Sequence, residues 1–155
     1  MSRFCLDTDV LIDASNLYPK DVLTRFWQTL EERGAEGRVF SPKEVLEELL
    51  RVEDEDEAAQ WARQHKAFFR PPEESVQQAV KEVLKRFPHL VPVDASTPFA
   101  DPWVVGEAMA GNAAVVTKER FTLPPKRPRI PNVCQEMGVC CIRLLDVLRF
   151  MNLGY

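Results

Sequence analysis

At 155 residues, 45% hydrophobic and 28% charged, the chain has the make-up of one globular domain spanning 1–155, far from the low-hydrophobicity, high-charge region of disordered sequences. A formal net charge of -4 excludes nucleic-acid binding by bulk positive charge, although not binding through metal ions, because cations reverse the field of a carboxylate cluster. No basic segment followed by an apolar core opens the chain and no apolar run approaches the about 20 residues of a membrane span, so the expected place is the cytoplasm, with no membrane contact.

Arg3 to Leu6 reads as a first strand, and three carboxylates, Asp7, Asp9 and Asp13, then interrupt the apolar run. Leu23, Phe26, Trp27 and Leu30 recur at helical spacing, which predicts a helix from Leu17 to Arg33 ending at Gly34. Arg38 to Phe40 is a short strand. Ser41-Pro42 then reads as a helix cap with proline at the first helical position, ahead of Val45, Leu46, Leu49 and Leu50.

The acidic stretch Glu53 to Glu57 is a solvated helix start leading to Trp61, Ala62 and Phe68, and Ser75 to Phe87 is a second amphipathic helix after Pro71-Pro72. Leu90 to Val93 is an extended piece that the prolines at 88, 92 and 98 make a poor sheet member. Pro102 to Ala110 reads as a helix, Ala113 to Thr117 and Cys140 to Leu144 as strands, and Leu145 to Met151 as a last helix. Strand and helix alternate at both ends, which predicts an α/β domain: a three-layer α/β/α fold with a central, mainly parallel sheet and a helical insertion. In such sheets functional groups gather beyond the carboxyl ends of the strands.

That rule selects Asp7 after the first strand, Asp101 at a helix entrance and Glu119 two residues beyond Thr117, with Glu44, Glu47 and Glu48 competing to supply a fourth acid from the helix after the second strand. Carboxylates converging without His or Cys suit a hard cation, Mg²⁺ or Mn²⁺, rather than zinc. His65 and His89 stand in polar contexts and read as surface residues, and Cys5, Cys134, Cys140 and Cys141 contain no C-x-x-C pair and read as reduced thiols. Plainer readings stand beside these. Asp9 and Asp13 can cap the turn or helix after the first strand, Asp101 before Pro102 can be a helix cap, and Glu47 can be part of a solvated face.

L-D-T-D-V-L-I-D resembles the opening motif of PIN domains, F-A-D-P-W-V-V their third acidic motif and V-V-T-K-E their fourth. S-P-K-E-V-L-E-E-L, D-E-A-A-Q-W-A and R-I-P-N-V-C followed by G-V are similar to a group of small prokaryotic PIN-like proteins that carries only a domain-of-unknown-function label, related to VapC-type toxin ribonucleases. The resemblance spans nearly the whole chain and implies a PIN-like fold and a metal-dependent nuclease that cuts RNA, many small members being the toxin of a toxin and antitoxin pair and often dimeric. Carried over by position, Asp7, Glu48, Asp101 and Glu119 match the four acids. Asp9 stands where the family more often has Asn or Ser, Glu119 where many members have Asp, and Asn132 where an acid is expected.

On this reading Asp7, Asp101 and Glu48 hold Mg²⁺ or Mn²⁺, Glu119 binds a second ion or orients water, and Asp9 is either a turn cap or a further ligand. Thr8 and Thr117 support the site by hydrogen bonds, and Lys118, Arg120, Lys126, Arg127 and Arg129 are the residues placed to draw in an RNA backbone. Trp103 reads as a packing residue. One rival is a PIN-like module that binds an antitoxin or RNA with little turnover. Another is a haloacid-dehalogenase-type phosphatase, whose first motif D-T-D-V-L resembles, although the chain offers only Asp146 as a late acid. Asp9→Asn is expected to be harmless to a nuclease and ruinous to that phosphatase.

Overall fold

In the computed structural model, which describes residues 2–51, 56–92 and 99–151, the buried apolar triplet Phe4–Leu6 forms β1, and the chain enters α1 (Thr8–Leu17) at once. This helix was not expected from the sequence. Val10, Leu11 and Ala14 nonetheless lie on one buried side of it, and the Asp7 carboxylate caps it by accepting the Thr8 N–H. Pro19 ends it, because a residue before proline is driven off the helical backbone, and Tyr18 sits at φ -121° and ψ 79°. The helix expected from Leu17 to Arg33 is therefore only its second part, α2 (Thr24–Ala35), which buries Phe26, Trp27 and Leu30.

The second strand, β2 (Val39–Pro42), runs further than expected. Ser41 is not a cap, since its hydroxyl donates to Leu6 O across the sheet at 2.7 Å, and the extended Pro42 precedes α3 (Lys43–Leu49). Asp56 caps α4 (Glu57–Gln64), and a single 3₁₀ turn leads into β3 (Phe69–Arg70), a two-residue strand too short to show alternation in sequence. Then come α5 (Glu74–Arg86), α6 (Asp101–Gly111), β4 (Ala114–Val116), α7 (Ile130–Met137), β5 (Cys141–Ile142) and α8 (Leu144–Phe150). The expected positions Glu53, Val93 and Pro98 lie outside the described residues; Leu90 is a buried core residue outside any strand.

The five strands pair in parallel in the order β3-β2-β1-β4-β5, flanked by helices in the expected α/β/α layering. From β1 the chain steps outward through β2 and β3, and then resumes on the other side with β4 and β5. The order therefore reverses between β1 and β4, where the loops leaving the carboxyl ends diverge and leave a crevice. Register fixes what meets there: Leu6 pairs with Val116, and the Asp7 N–H donates to Val116 O at 2.9 Å.

The core is centred on Leu6, Leu11, Leu30, Phe40, Leu49 and Ile130, with an aromatic group of Phe26, Trp27, Trp61 and Phe68 at one side. His65 stacks on Trp61 and lies 3.1 Å from Glu31, His89 is exposed, and the four cysteines are free. The helices α5 and α6 approach closely at Gly106, where an added Cβ would stand 2.6 Å from Val80 Cγ2 and 3.4 Å from the Val76 carbonyl. A β-branched Val80 has no alternative rotamer to retreat into. Gly106→Ala is accordingly expected to destabilise by about 1 to 3 kcal/mol through overpacking, read as a lower urea midpoint with an unchanged slope.

Candidate functional site

Asp7 is the first residue past β1, and its position as the cap of α1 explains both its burial and its orientation. One carboxylate oxygen accepts the Thr8 N–H at 2.8 Å and the other accepts the Thr117 hydroxyl at 2.9 Å. Thr117, the first residue past β4, also lies 3.3 Å from an Asp9 oxygen, and its hydroxyl accepts the Glu119 N–H at 3.1 Å. One threonine thus ties the ends of the two central strands together. Asp9, in the first turn of α1, accepts the Lys118 N–H at 3.4 Å through its other oxygen. Oxygens of Asp7, Asp9 and Glu119 lie within 4.8 Å of one another.

Asp101 is the first residue of α6 rather than its cap, a position held by Ala100. It lies outside the group of three, but near enough for its charge to be felt. Its carboxyl is pushed up to about 7, by burial first and then by Glu119 and Glu48, against the pull of Arg127. Burial likewise raises Asp7 well above the usual carboxylate range, with Asp9, Asp101 and Glu119 adding to it, and raises Asp9. The chain therefore crowds acidic groups together with fewer cations than would offset them. The ammonium of Lys118 turns away to Asp13 at 3.0 Å, and Arg129 approaches only Glu119, at 3.6 Å.

Among the three glutamates of α3, Glu48 is the one that reaches this end of the sheet. Both its oxygens are engaged: one accepts the Thr8 hydroxyl at 2.6 Å, the other the Ala100 N–H at 2.8 Å. It braces the starts of α1 and α6, and so the elements that carry Asp9 and Asp101. Glu44 is buried near Glu107 with one oxygen unpartnered, and Glu47 pairs with Lys43. Of the basic candidates, Arg120, Lys126 and Arg129 are exposed, while Arg127 lies over the Phe99 ring and donates to Leu90 O. Trp103 is half-buried, and Asp146 accepts the Arg143 N–H at the start of α8 and pairs with Arg149.

One participant had no counterpart in the sequence reading, and another has a role that reading did not give it. The Ile130 N–H, at the start of α7, donates to a Glu119 oxygen at 3.0 Å. Asn132, where an acid was expected, is instead a hydrogen-bond hub for the loop before α7. The signal for both was proline at the second helical position, Pro131.

A donor set made only of carboxylate oxygens, mutually repulsive and partly desolvated, fits an octahedral hard cation such as Mg²⁺ or Mn²⁺ and lacks the soft ligands that zinc prefers. The family model for the Domain of unknown function (DUF4411) matches residues 4–154. No curated protein matches the chain. Among solved structures, VapBC2 from Rickettsia felis bound to a DNA fragment from their promoter is similar at a TM-score of 0.56, with 12% identity over 90% of this chain and 97% of that one. FitAcB from Neisseria gonorrhoeae is similar at a TM-score of 0.53, with 13% identity over 90% of this chain and 96% of that one. At such identities the likeness is one of fold.

Proposed function

The chain belongs to the DUF4411 family, a domain of unknown function, and for its PIN-like fold we propose the activity of a divalent-metal-dependent endoribonuclease working on RNA in the cytoplasm. The observation that carries this reading is the convergence of Asp7, Asp9 and Glu119, within 4.8 Å, at the point where the strand order reverses. We take residues 1–155 as one domain, and an antitoxin as its protein partner; the fold likeness to VapBC2 supports that second point, and a homodimer fits it.

Asp7, Asp9 and Glu119 would hold Mg²⁺ or Mn²⁺, with Asp101 adding charge from the start of α6 and Glu48 acting chiefly as a brace. The cation, when bound, supplies activation of water and stabilisation of charge on the scissile phosphate. The chain's part is to hold the acids in place: Thr117 orients Asp7 and Asp9, the Thr8 N–H fixes the Asp7 carboxylate, and Glu48 restrains Thr8 and Ala100. Arg120 and Lys126, exposed on the loop beyond Glu119, are the residues we assign to an RNA backbone, while Arg127 is engaged with Phe99 and Leu90.

The test is cleavage of generic RNA by purified protein with Mg²⁺, Mn²⁺ or EDTA. Asp9→Asn, expected from sequence alone to be harmless, is now expected to weaken Mn²⁺ binding and slow cleavage by roughly tenfold or more, since it removes a charged member of the group of three. Metal-independent cleavage, or a covalent aspartyl-phosphate at Asp7, would count against the reading.

A further inference from the structure

Between Glu119 and α7 the chain makes a loop that a single side chain closes. The Asn132 amide oxygen accepts the Thr122 N–H at 3.1 Å and the Arg129 N–H at 3.1 Å, while its amide nitrogen donates to Thr122 O at 2.7 Å. The Thr122 hydroxyl in turn donates to Arg127 O at 2.9 Å. This stitching sets the start of α7 against Glu119, so that the Ile130 N–H meets one oxygen at 3.0 Å and the Arg129 guanidinium faces the other at 3.6 Å.

Glu119 needs such support. Its side chain has three rotatable bonds, it is repelled by Asp7, Asp9 and Asp101, and solvent is within reach of a carboxylate that is only partly buried. A helix N-terminus and a guanidinium are the donors that best hold a carboxylate against such repulsion. An aspartate at the same position would fall short of the Ile130 N–H by about one methylene.

We propose that Arg129 and Asn132 are positioning residues for the metal centre, acting through Glu119: Arg129 serves cation binding rather than RNA contact, and Asn132 places Arg129 and Ile130 where they can act. This rests on the nuclease reading above, and the experiment separates the two. Mn²⁺ affinity is measured calorimetrically on the full RNA-free chain for the wild type, Arg129→Gln, Arg129→Lys, Glu119→Gln and the double variant Glu119→Gln/Arg129→Gln, with thermal unfolding in EDTA reporting that each is folded. The substituted side chain of Arg129 is 45% exposed, so folding tolerates the change.

Arg129→Gln is expected to weaken Mn²⁺ roughly tenfold, the scale of losing an orienting partner of a metal ligand, and Arg129→Lys to recover part of it. In the Glu119→Gln background the same change is expected to have less than about a twofold effect, because the residue through which it acts is gone. An unchanged Mn²⁺ affinity with a raised KM for RNA would make Arg129 an RNA contact and overturn the inference alone. An equal loss in both backgrounds would overturn it too. Wild-type protein that binds no Mn²⁺ at millimolar concentration removes the metal centre itself, and the inference with it.

Discussion

Asp7→Asn is expected to lower metal-dependent RNA cleavage by at least about a hundredfold, the upper end of what the loss of a ligand's mere orienting partner costs, and at the same time to make the metal-free protein harder to unfold at pH 8. The two effects come from one feature. Asp7 is 4% exposed, its ionisation is opposed by burial and by Asp9, Asp101 and Glu119, and only hydrogen bonds stand on the other side. Asparagine keeps an oxygen to cap α1 and presents an amide to the Thr117 hydroxyl, while removing a charge that the folded state resists. On the reading proposed above, such a site is strained without its cation, which is the usual origin of a trade between stability and activity. Cleavage assays paired with urea unfolding in EDTA check both halves. A variant that is inactive but less stable would mean that Asp7 is a structural cap, and an active one would move the chemistry elsewhere.

The metal-free protein is also expected to lose stability as pH rises from about 4 to about 7, and Mn²⁺ to restore most of it. Asp101 titrates near 7 in the folded chain against an ordinary value of 3.8, with Glu119, Glu48 and Asp9 raising it and Arg127 opposing them. Below the ordinary value the folded and unfolded chains both carry the proton and nothing is lost. Above it the unfolded chain ionises while the folded chain holds its proton, so unfolding is increasingly favoured until the folded group also ionises. For Asp101 alone the loss is on the order of 4 kcal/mol as an upper bound. Glu107, raised by burial to about 7 against the pull of Arg70, adds a loss of the same sign outside the acid cluster.

Mn²⁺ held at the proposed centre would take the ionised cluster, so its effect on the unfolding midpoint should be small at pH 5 and large at pH 8, and Asp101→Asn should flatten the metal-free profile. The Glu107 share should persist with metal present. Unfolding midpoints measured from pH 4 to 8, with Mn²⁺ and with EDTA, read this directly. Stability that rises over that window in EDTA, or a metal effect independent of pH, would contradict it.

The strands β1 and β4 were legible because short apolar runs ending in Asp or Thr stand out against their surroundings, and with them came Asp7, Asp101 and Glu119 as acids at one edge. What the sequence concealed was how the edge is assembled. The carboxylates of Asp7 and Asp9 disguised α1 as an interrupted strand, yet Asp7 becomes its cap and Asp9 part of its first turn, and that is why the two converge. Glu48 was matched to the metal by a motif, and the motif gave no sign that its oxygens also accept from Thr8 and Ala100. No helix was expected between Thr117 and Cys140, so α7 went unread and neither Ile130 nor Asn132 could be seen to support Glu119. Long-range partnerships of this kind leave no periodic trace, because each depends on a few hydrogen bonds between segments far apart in the chain.

That distance has a consequence for how the protein is made. The hydroxyl that joins Asp7 to the rest of the cluster belongs to a residue 110 positions later. A ribosome needs roughly 5 to 20 seconds to extend a chain that far, and during this interval β1, α1 and β2 can dock while the crevice lacks one wall. The acids cannot be brought together until β4 has paired with β1. While β1, α1 and β2 stand alone, the proposed centre lacks both Glu119 and the Thr117 clasp, and that part of the chain is expected to have no activity of its own toward RNA.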